Sequence, residues 1–279
     1  MTSRHHLGRS AAVLTAALAF TTATTALTAT AADSAHKTGK HTTATAAAPR
    51  AGAGSAQDVP DGGWEGDGLR LSAEENRKVD AYVARARQAE PAITRDVRAA
   101  AHLGGADLIG LEHRLKSPDS LKRKVATDLK EYPENTVDQA LARLNDAVRY
   151  TLRWPDGEYV TGATIASQVL SAWGNDTTKW SNTWGRAQGY KGLNSGWRAP
   201  DSRQRFEVQF HTPASKYAQE ETHKLYEEQR LPTTSPERKK ELQAQQNALF
   251  AAVPVPDGAP ELTAPAPALA PVPALTPVA

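Results

Sequence analysis

The sequence contains no cysteine in its 279 residues. Disulfide bonds, thiolate metal sites and a cysteine nucleophile are therefore excluded. An excess of one charge is also missing, because 33 lysines and arginines nearly balance 31 aspartates and glutamates and leave a formal net charge of +2. A balance this close is unlike a protein that coats nucleic acid, so we expect neither DNA nor RNA as a partner. None of the eight histidines stands in the His-Glu-x-x-His spacing of a zinc hydrolase.

Large side chains are scarce at both ends of the chain. After a basic start, residues 11–31 carry no charge and are rich in alanine, leucine and threonine. This pattern predicts a secretory signal peptide over residues 1–32, and hence a secreted, extracellular protein that leaves the membrane after cleavage. No later stretch approaches the ~20 apolar residues of a membrane span. We predict a flexible leader over residues 33–66 and a Pro/Ala-rich disordered tail over residues 253–279.

The middle of the chain predicts interleaved helices and strands. Ser72 and Glu75 form a capping box before a helix that Pro91 is expected to break or restart. Ser117 and Pro118 open a second helix, as an N-cap and first helical residue. Further helices are predicted over 137–144 and 160–173 and in two segments after Pro213, and strands over 108–114, 147–154 and 205–211. We therefore predict one α+β domain over residues 67–252, with a small mixed β-sheet flanked by helices.

A basic segment at the second helix is the densest candidate site. Arg114, Lys116, Ser120 and Lys124 form the pattern R-x-K-x-x-x-S-x-x-x-K. Ser120 and Lys124 share one helical face, and the helix start offers free N–H groups and a partial positive charge. A polyphosphate would be bound well by this combination of donors. The alternative is a solvated basic helix face with no ligand.

Three other places carry candidate chemistry. Glu207 shares one face of its strand with Gln209 and His211, and it is a candidate general base for a hydroxyl or an ordinary surface carboxylate. Tyr190 stands in a glycine-punctuated turn and offers a ring for stacking on a base, or belongs to the core. Asp146 precedes a strand and could bind Mg²⁺ or simply form a turn.

The order of these motifs resembles the synthetase domain of the RelA/SpoT family of alarmone synthetases. The basic pattern comes first, followed by an acidic strand entrance with an arginine, then G-Y-x-x-L-N, then E-V-Q-F-H-T. The resemblance covers about residues 107–230, and with the predicted export signal the chain resembles the secreted pyrophosphokinases of that superfamily. It implies a nucleotidyltransferase-like mixed sheet and Mg²⁺-dependent transfer of the β,γ-pyrophosphate of ATP to the 3′-hydroxyl of a purine nucleotide (ATP, ADP, AMP, GTP or GDP), with release of AMP.

The resemblance also implies roles for single residues. Two arginines would sandwich the donor adenine, three residues would bind the donor phosphates, two carboxylates would hold Mg²⁺, and a tyrosine would stack on the acceptor base. In that order these are Arg114 and Arg149; Lys116, Ser120 and Lys124; Asp146 and Glu207; and Tyr190. Glu207 would also orient or deprotonate the acceptor 3′-hydroxyl, beside Asn194, Gln209 and His211. We further expect Lys122 and Arg123 to add positive charge near the phosphates.

The chain departs from the family pattern at three positions. Asp146 stands three residues before Arg149 rather than five, Asn194 replaces a histidine found in many members, and His211 replaces an arginine. The region before Ala106 has no His-Asp pair of a metal-dependent hydrolase, which favours a pure synthetase, expected to be a monomer. Two alternatives remain open. One is a toxin that depletes ATP in another cell, and the other is a non-catalytic nucleotide- or polyanion-binding module.

Overall fold

The computed structural model describes residues 57–229, 231 and 233–267. The predicted signal peptide, the leader up to residue 56 and the tail from residue 268 lie outside the described residues. The elements, in chain order, are β1 (Gln57–Asp58), β2 (Trp64–Gly66), β3 (Leu69–Leu71), α1 (Ala73–Leu103), β4 (Asp107–Ile109), α2 (Pro118–Glu131), α3 (Val137–Arg143), β5 (Arg149–Arg153), α4 (Tyr159–Ala172), β6 (Asp176–Asn182), β7 (Leu193–Arg198), β8 (Arg205–His211), α5 (Pro213–Gln229) and α6 (Pro236–Ala251).

A five-stranded mixed sheet forms the centre of the domain. Its strand order is β4-β5-β8-β7-β6. β5 and β8 pair in parallel, and the other neighbours pair antiparallel. Helices flank this sheet, so the predicted α+β class with a small mixed sheet is confirmed. The strand predicted over 205–211 is confirmed as β8, whereas the sequence reasoning missed β6 and β7.

Helix α1 runs without interruption through Pro91, so the predicted break is wrong. A proline inside a helix removes one hydrogen bond and costs about 3 kcal/mol. Pro91 is exposed, and the buried face of α1 continues on both sides of it. Burial of that face stabilises the helix by about 25 cal/mol per Å² of apolar surface, and this gain outweighs the local cost of the proline. The buried apolar residues of α1 include Val79, Val83, Ala86, Ile93 and Val97.

The small sheet β1-β2-β3 belongs to the folded domain. The folded domain therefore begins before residue 67, and the leader predicted over residues 33–66 is too long. Trp64 is completely buried, and its Nε1 donates to Asp119 at 3.2 Å. Lys122 pairs with Asp58 at 2.9 Å, and Arg123 pairs with Asp67 at 2.7 Å. These two basic side chains therefore anchor the small sheet. The expectation that they also add positive charge near a phosphate stays a prediction.

Residues 253–267 pack on the domain, which corrects the predicted disordered tail over this range. The backbone carbonyls of the segment accept hydrogen bonds from three side chains of the body. Trp180 Nε1 donates to Leu262 O at 3.0 Å, and Asn182 Nδ2 donates to Ala259 O at 2.8 Å. Ser171 Oγ donates to Ala266 O at 2.6 Å. Each proline lacks a backbone N–H donor but keeps its carbonyl acceptor. The segment can therefore accept hydrogen bonds from the body without joining a sheet.

The chain turns sharply after β4, which is shorter than the strand predicted over 108–114. Gly110 has a φ of +63°, a conformation that glycine adopts without steric cost. This turn directs the chain toward the start of α2. No helix within the described residues combines the length and the apolar composition that crossing a membrane requires.

Candidate functional site

The sheet register places several polar residues side by side on one face. Arg149 of β5 lies opposite Glu207 of β8, and Thr151 lies opposite Gln209. On the other side of β8, Gly196 of β7 lies opposite Glu207. Alternate residues of a strand point to the same face. Arg149, Glu207 and Gln209 therefore share a polar face.

Asp146 lies just before β5 and binds two lysines of the basic pattern. Its Oδ2 lies 2.8 Å from Lys116 Nζ, and its Oδ1 lies 2.8 Å from Lys124 Nζ. The residue is only 8% exposed. Although burial alone would raise the pKa of Asp146, the two lysines outweigh it and hold the pKa well below the usual range. The carboxylate is therefore ionised throughout the physiological range.

The start of α2 positions the phosphate-binding candidates. Ser117 caps the helix, since its Oγ accepts from the N–H of Ser120 at 3.2 Å, and Pro118 occupies the first turn as predicted. Ser120 Oγ accepts a hydrogen bond from Ser117 Oγ at 2.8 Å. The N–H of Lys116 donates to Ala147 O at 3.0 Å, which ties this segment to the entrance of β5. The structure thus brings the predicted lysines and Ser120 to one helix start.

Glu207 lies close enough to this cluster for their charges to interact. Desolvation and the neighbouring Asp146 carboxylate raise the pKa of Glu207, while Arg149, Lys124 and Lys179 oppose that shift. Gln209 Nε2 donates to Glu207 Oε1 at 2.8 Å and orients the carboxylate. The N–H of Glu207 also donates to Val148 O at 2.9 Å, so the strand acid lies next to the chain segment that begins with Asp146.

Two carboxylates of the site could hold Mg²⁺, those of Asp146 and Glu207. Both oxygens of Asp146 are bonded to lysines, so a metal there would replace at least one of these contacts. Mg²⁺ typically takes one or two protein carboxylates and completes its shell with phosphate oxygens and water. Among the described residues there is no group of three or more histidine and carboxylate side chains that could hold a metal alone. A metal at this site would therefore depend on ligands from a bound phosphate chain.

Arg114 is held apart from the lysine cluster by an ion pair with helix α1. Its Nε lies 2.5 Å from Glu90 Oε1, and Glu90 is buried. The backbone N–H of Arg149 donates to Arg114 O at 2.8 Å, so the two arginines stand opposite each other in register. The side chain of Arg114 is 30% exposed. The adenine sandwich between these arginines stays a prediction.

Tyr190, Asn194 and His211 form a closed, buried cluster, which we call the tyrosine cluster. Tyr190 is 6% exposed and its hydroxyl donates to Asn194 Oδ1 at 2.9 Å and lies 3.0 Å from His211 Nε2. Phe250, near the end of α6, packs on the Tyr190 ring with a centroid distance of 5.7 Å. Burial lowers the pKa of His211 well below its usual value, so this imidazole is neutral.

The burial of this cluster bears on the predicted acceptor contacts. Tyr190 is covered in this conformation, so stacking of a base on its ring stays a prediction that requires the ring to be uncovered. Asn194 and His211 are likewise turned toward Tyr190, and Gln209 is 3% exposed and bonded to Glu207. The polar atoms of the cluster satisfy one another, and Phe250 covers them. Access for a ligand therefore requires a displacement of α6.

Three contributors escaped the sequence reasoning. Glu90 orients Arg114, and Lys179 of β6 acts on the pKa of Glu207. Lys216, in the first turn of α5, lies close enough to Arg149 for the two charges to interact, and burial lowers its pKa. Glu90 looked like any helical glutamate, since its partner is 24 residues away.

No family model matches the chain, and no curated protein matches it. Among solved structures, the chain is similar to the complex of the Type VI effector Tas1 with its immunity protein, at 20% identity over 63% of this chain and 96% of the other, with a TM-score of 0.45. It is also similar to small alarmone synthetase 1 from Bacillus subtilis bound to pppGpp (13% identity, 62% and 91% covered, TM-score 0.45). A third is a GTP pyrophosphokinase family protein from Streptococcus pneumoniae (14% identity, 64% and 89% covered, TM-score 0.40).

Proposed function

We propose that this protein is a secreted pyrophosphokinase. It transfers the β,γ-pyrophosphate of ATP to the 3′-hydroxyl of a purine nucleotide and releases AMP. One observation supports this most directly: the buried Asp146 carboxylate joins Lys116 and Lys124 beside Glu207. A simple anion-binding module would be weakened by two carboxylates next to its lysines. A phosphoryl-type transfer needs both charges, because it binds phosphates and also handles a proton.

The donor triphosphate binds at the start of α2. Lys116 and Lys124 supply ammonium groups, Ser120 supplies a hydroxyl, and the helix start supplies N–H groups and partial positive charge. Before the nucleotide binds, Asp146 keeps both lysines paired and in place. The site is therefore preorganised, so that little reorganisation is needed when phosphate arrives. Arg149 neutralises charge from the adjacent strand.

The transfer forms one P–O bond and breaks another P–O bond. The acceptor 3′-oxygen attacks the β-phosphorus, the bond from that phosphorus to the oxygen of the α-phosphate breaks, and AMP leaves with this oxygen. Glu207 accepts the hydroxyl proton. Its raised pKa suits a general base, because proton affinity rises with pKa. Gln209 keeps the carboxylate pointing at the hydroxyl.

The reaction implied here would use Mg²⁺. Asp146 and Glu207 would hold it, and it would neutralise phosphate charge during transfer. Asp146 remains anionic because its pKa is low, so it can serve as a ligand without losing a proton first.

Product analysis tests the proposal. Purified protein is incubated with Mg²⁺, ATP and each purine nucleotide in turn, and the products are identified by mass spectrometry. We expect AMP together with an acceptor heavier by one pyrophosphate group, and no product when Mg²⁺ is chelated. ATP binding without AMP release from any acceptor would contradict the proposal and favour the binding module.

The Phe250 ring is expected to limit access to the acceptor side. Phe250→Ala removes the cover of Tyr190, so a larger share of molecules can accept a base there. We expect the KM for the acceptor to fall by about 3–10-fold, while the KM for ATP stays unchanged. Phe250→Leu is the control, because it keeps an apolar cover. Steady-state kinetics with acceptor varied at saturating ATP measures this, after a thermal melt establishes that each variant is folded. A rise in the acceptor KM would show that the ring supports the site instead.

A further inference from the structure

A second cavity lies away from the lysine cluster. It has a volume of about 660 Å³ and is formed by α1, α3 and the turn that joins β7 to β8. Within the described residues, the phosphate-binding candidates and Glu207 are not among those that line it. One wall is apolar, built from alanine and leucine side chains of the two helices. The volume is in the range of pockets that take small organic ligands.

Arginines dominate the polar part of this cavity. Arg85, Arg203 and Arg205 line it, against the single carboxylate of Asp201. Arg85 has no carboxylate within ion-pair distance in the part of the chain that the structure describes, and its guanidinium lies 5.8 Å from the centre of the Tyr82 ring. Arg203 shares Asp176 with Arg198. The lining is therefore positive, and guanidinium groups suit phosphates because they present paired donors.

The backbone at Arg203 supports a role for its side chain. This residue has a φ of +55°, in the left-handed region that glycine or asparagine occupies at lower cost. A side chain with a Cβ is sterically disfavoured at such a position. Glycine would form the turn with less strain, and the Arg203 side chain pairs with Asp176 at 3.3 Å. Its place in the cavity lining offers a reason for the side chain.

The cavity wall is bonded to the loop that carries Asp146. The Tyr82 hydroxyl donates to Leu144 O at 3.3 Å and accepts from Gln204 Nε2 at 3.2 Å. Arg205 Nη1 lies 3.5 Å from Asn145 Oδ1, at the limit of a hydrogen bond. Leu144 and Asn145 directly precede Asp146. A ligand that changes the position of Arg205 or Tyr82 would therefore also displace the Asp146 carboxylate, which pairs with the two lysines of the basic pattern.

We infer that this cavity is an effector site for a nucleoside polyphosphate, with guanidinium groups on its phosphates and its base against the apolar wall. The proposal that a ligand binds in this cavity does not rest on the proposed function. The proposal that the bound ligand alters turnover does rest on it. Occupancy changes the position of Asp146 through Leu144 and Asn145. The site is thus distinct from the donor site, which uses the lysines of α2.

Calorimetry with ATP as the probe tests the inference. The titration uses the full chain carrying Glu207→Gln, so that turnover does not consume the ligand. We expect a class of site at the cavity in addition to the donor site and to any binding of ATP as acceptor. In the Glu207→Gln background, Arg85→Ala with Arg203→Gly should weaken the affinity of the cavity class by about tenfold or more and leave the affinity of every other class unchanged. Glycine at position 203 removes the charge and relieves the backbone. Arg87→Ala is the matched control, because it removes the same charge from an exposed position of α1 outside the cavity lining.

The outcomes separate the two proposals. The effector site is ruled out if the Glu207→Gln protein binds ATP at a single class of site. It is also ruled out if the Arg85/Arg203 variant keeps the affinity of every class. If Lys116→Ala with Lys124→Ala leaves every class unchanged while the Arg85/Arg203 variant loses one, the effector site stands and the proposed donor site fails. Higher salt should weaken the cavity class, because it screens guanidinium–phosphate attraction. An Arg87→Ala variant that loses the class would also contradict the inference.

Discussion

Replacing Glu207 by glutamine is expected to lower the rate of AMP formation by about 100-fold or more, with ATP binding retained. Glutamine has nearly the same shape and keeps a hydrogen-bonding oxygen for Gln209, but it cannot accept the proton of a 3′-hydroxyl. Because the charge near Asp146 also falls, the change should stabilise the folded protein slightly rather than weaken it. The loss should therefore appear in kcat and not in the KM for ATP.

Single-turnover measurement of AMP release at saturating ATP checks this expectation. Glu158→Gln provides the matched control, since it makes the same chemical change at an exposed position before α4. A Glu207→Gln variant within about threefold of the parent rate would mean that no proton transfer to this residue contributes to the reaction. The hydroxyl would then lose its proton to water or phosphate, and the mechanism above would fail at that step.

Asp146→Asn is expected to lower the free energy of unfolding by about 3–5 kcal/mol and to abolish transfer. The change removes one negative charge from between two lysines and leaves Lys116 buried, with its side chain only 5% exposed. The amide replaces one of the two acceptor oxygens by an NH₂ donor, which cannot accept from the second ammonium group, and it carries no net charge. Removing one partner of a buried ion pair costs more than the pair itself contributes, because the remaining charge stays desolvated.

Asp138→Asn is a control with the same pairing distance but a different environment. Asp138 pairs with Lys78 at 2.8 Å, yet its side chain is 69% exposed. Its loss should cost less than about 1 kcal/mol, because water screens exposed ion pairs. Urea unfolding of both variants measures the difference. If both variants lose the same unfolding free energy, burial of the Asp146 ion pairs does not determine how much they stabilise the protein. The double variant Asp146→Asn with Lys116→Met should recover part of the lost stability, since it removes the stranded charge.

The contribution of Asp146 should also depend on pH. Its lysine partners hold its pKa in the folded protein below that in the unfolded chain, which is near 3.8. The folded state therefore binds fewer protons than the unfolded state at acid pH. The stabilisation is complete above the unfolded pKa and is lost as the pH falls toward the folded value. The difference in unfolding free energy between parent and Asp146→Asn should accordingly be constant from pH 7 to about 5 and shrink below that.

Local patterns were enough to predict most helices and three of the five strands of the central sheet, although the first of these is shorter than predicted. The Ser72 capping box and the Ser117-Pro118 start depend on contacts within one turn, so sequence alone identifies them. β8 was equally clear, because Phe206, Val208 and Phe210 alternate with polar residues over a full strand. Pro91 shows the limit of such reasoning, because burial across the whole of α1 overrides a local helix-breaking signal.

The sequence by itself determined which residues carry charge at the site: the spacing of Lys116, Ser120 and Lys124 follows from helix geometry, and the two acids stand in recognisable local patterns. Only the tertiary structure decided which of these groups meet. It paired Asp146 with both lysines, tied Arg114 to Glu90, and buried Tyr190 under Phe250. Each of these contacts joins residues at least 22 positions apart, and no local period encodes such a contact. The packing of helices on the sheet fixes these partners.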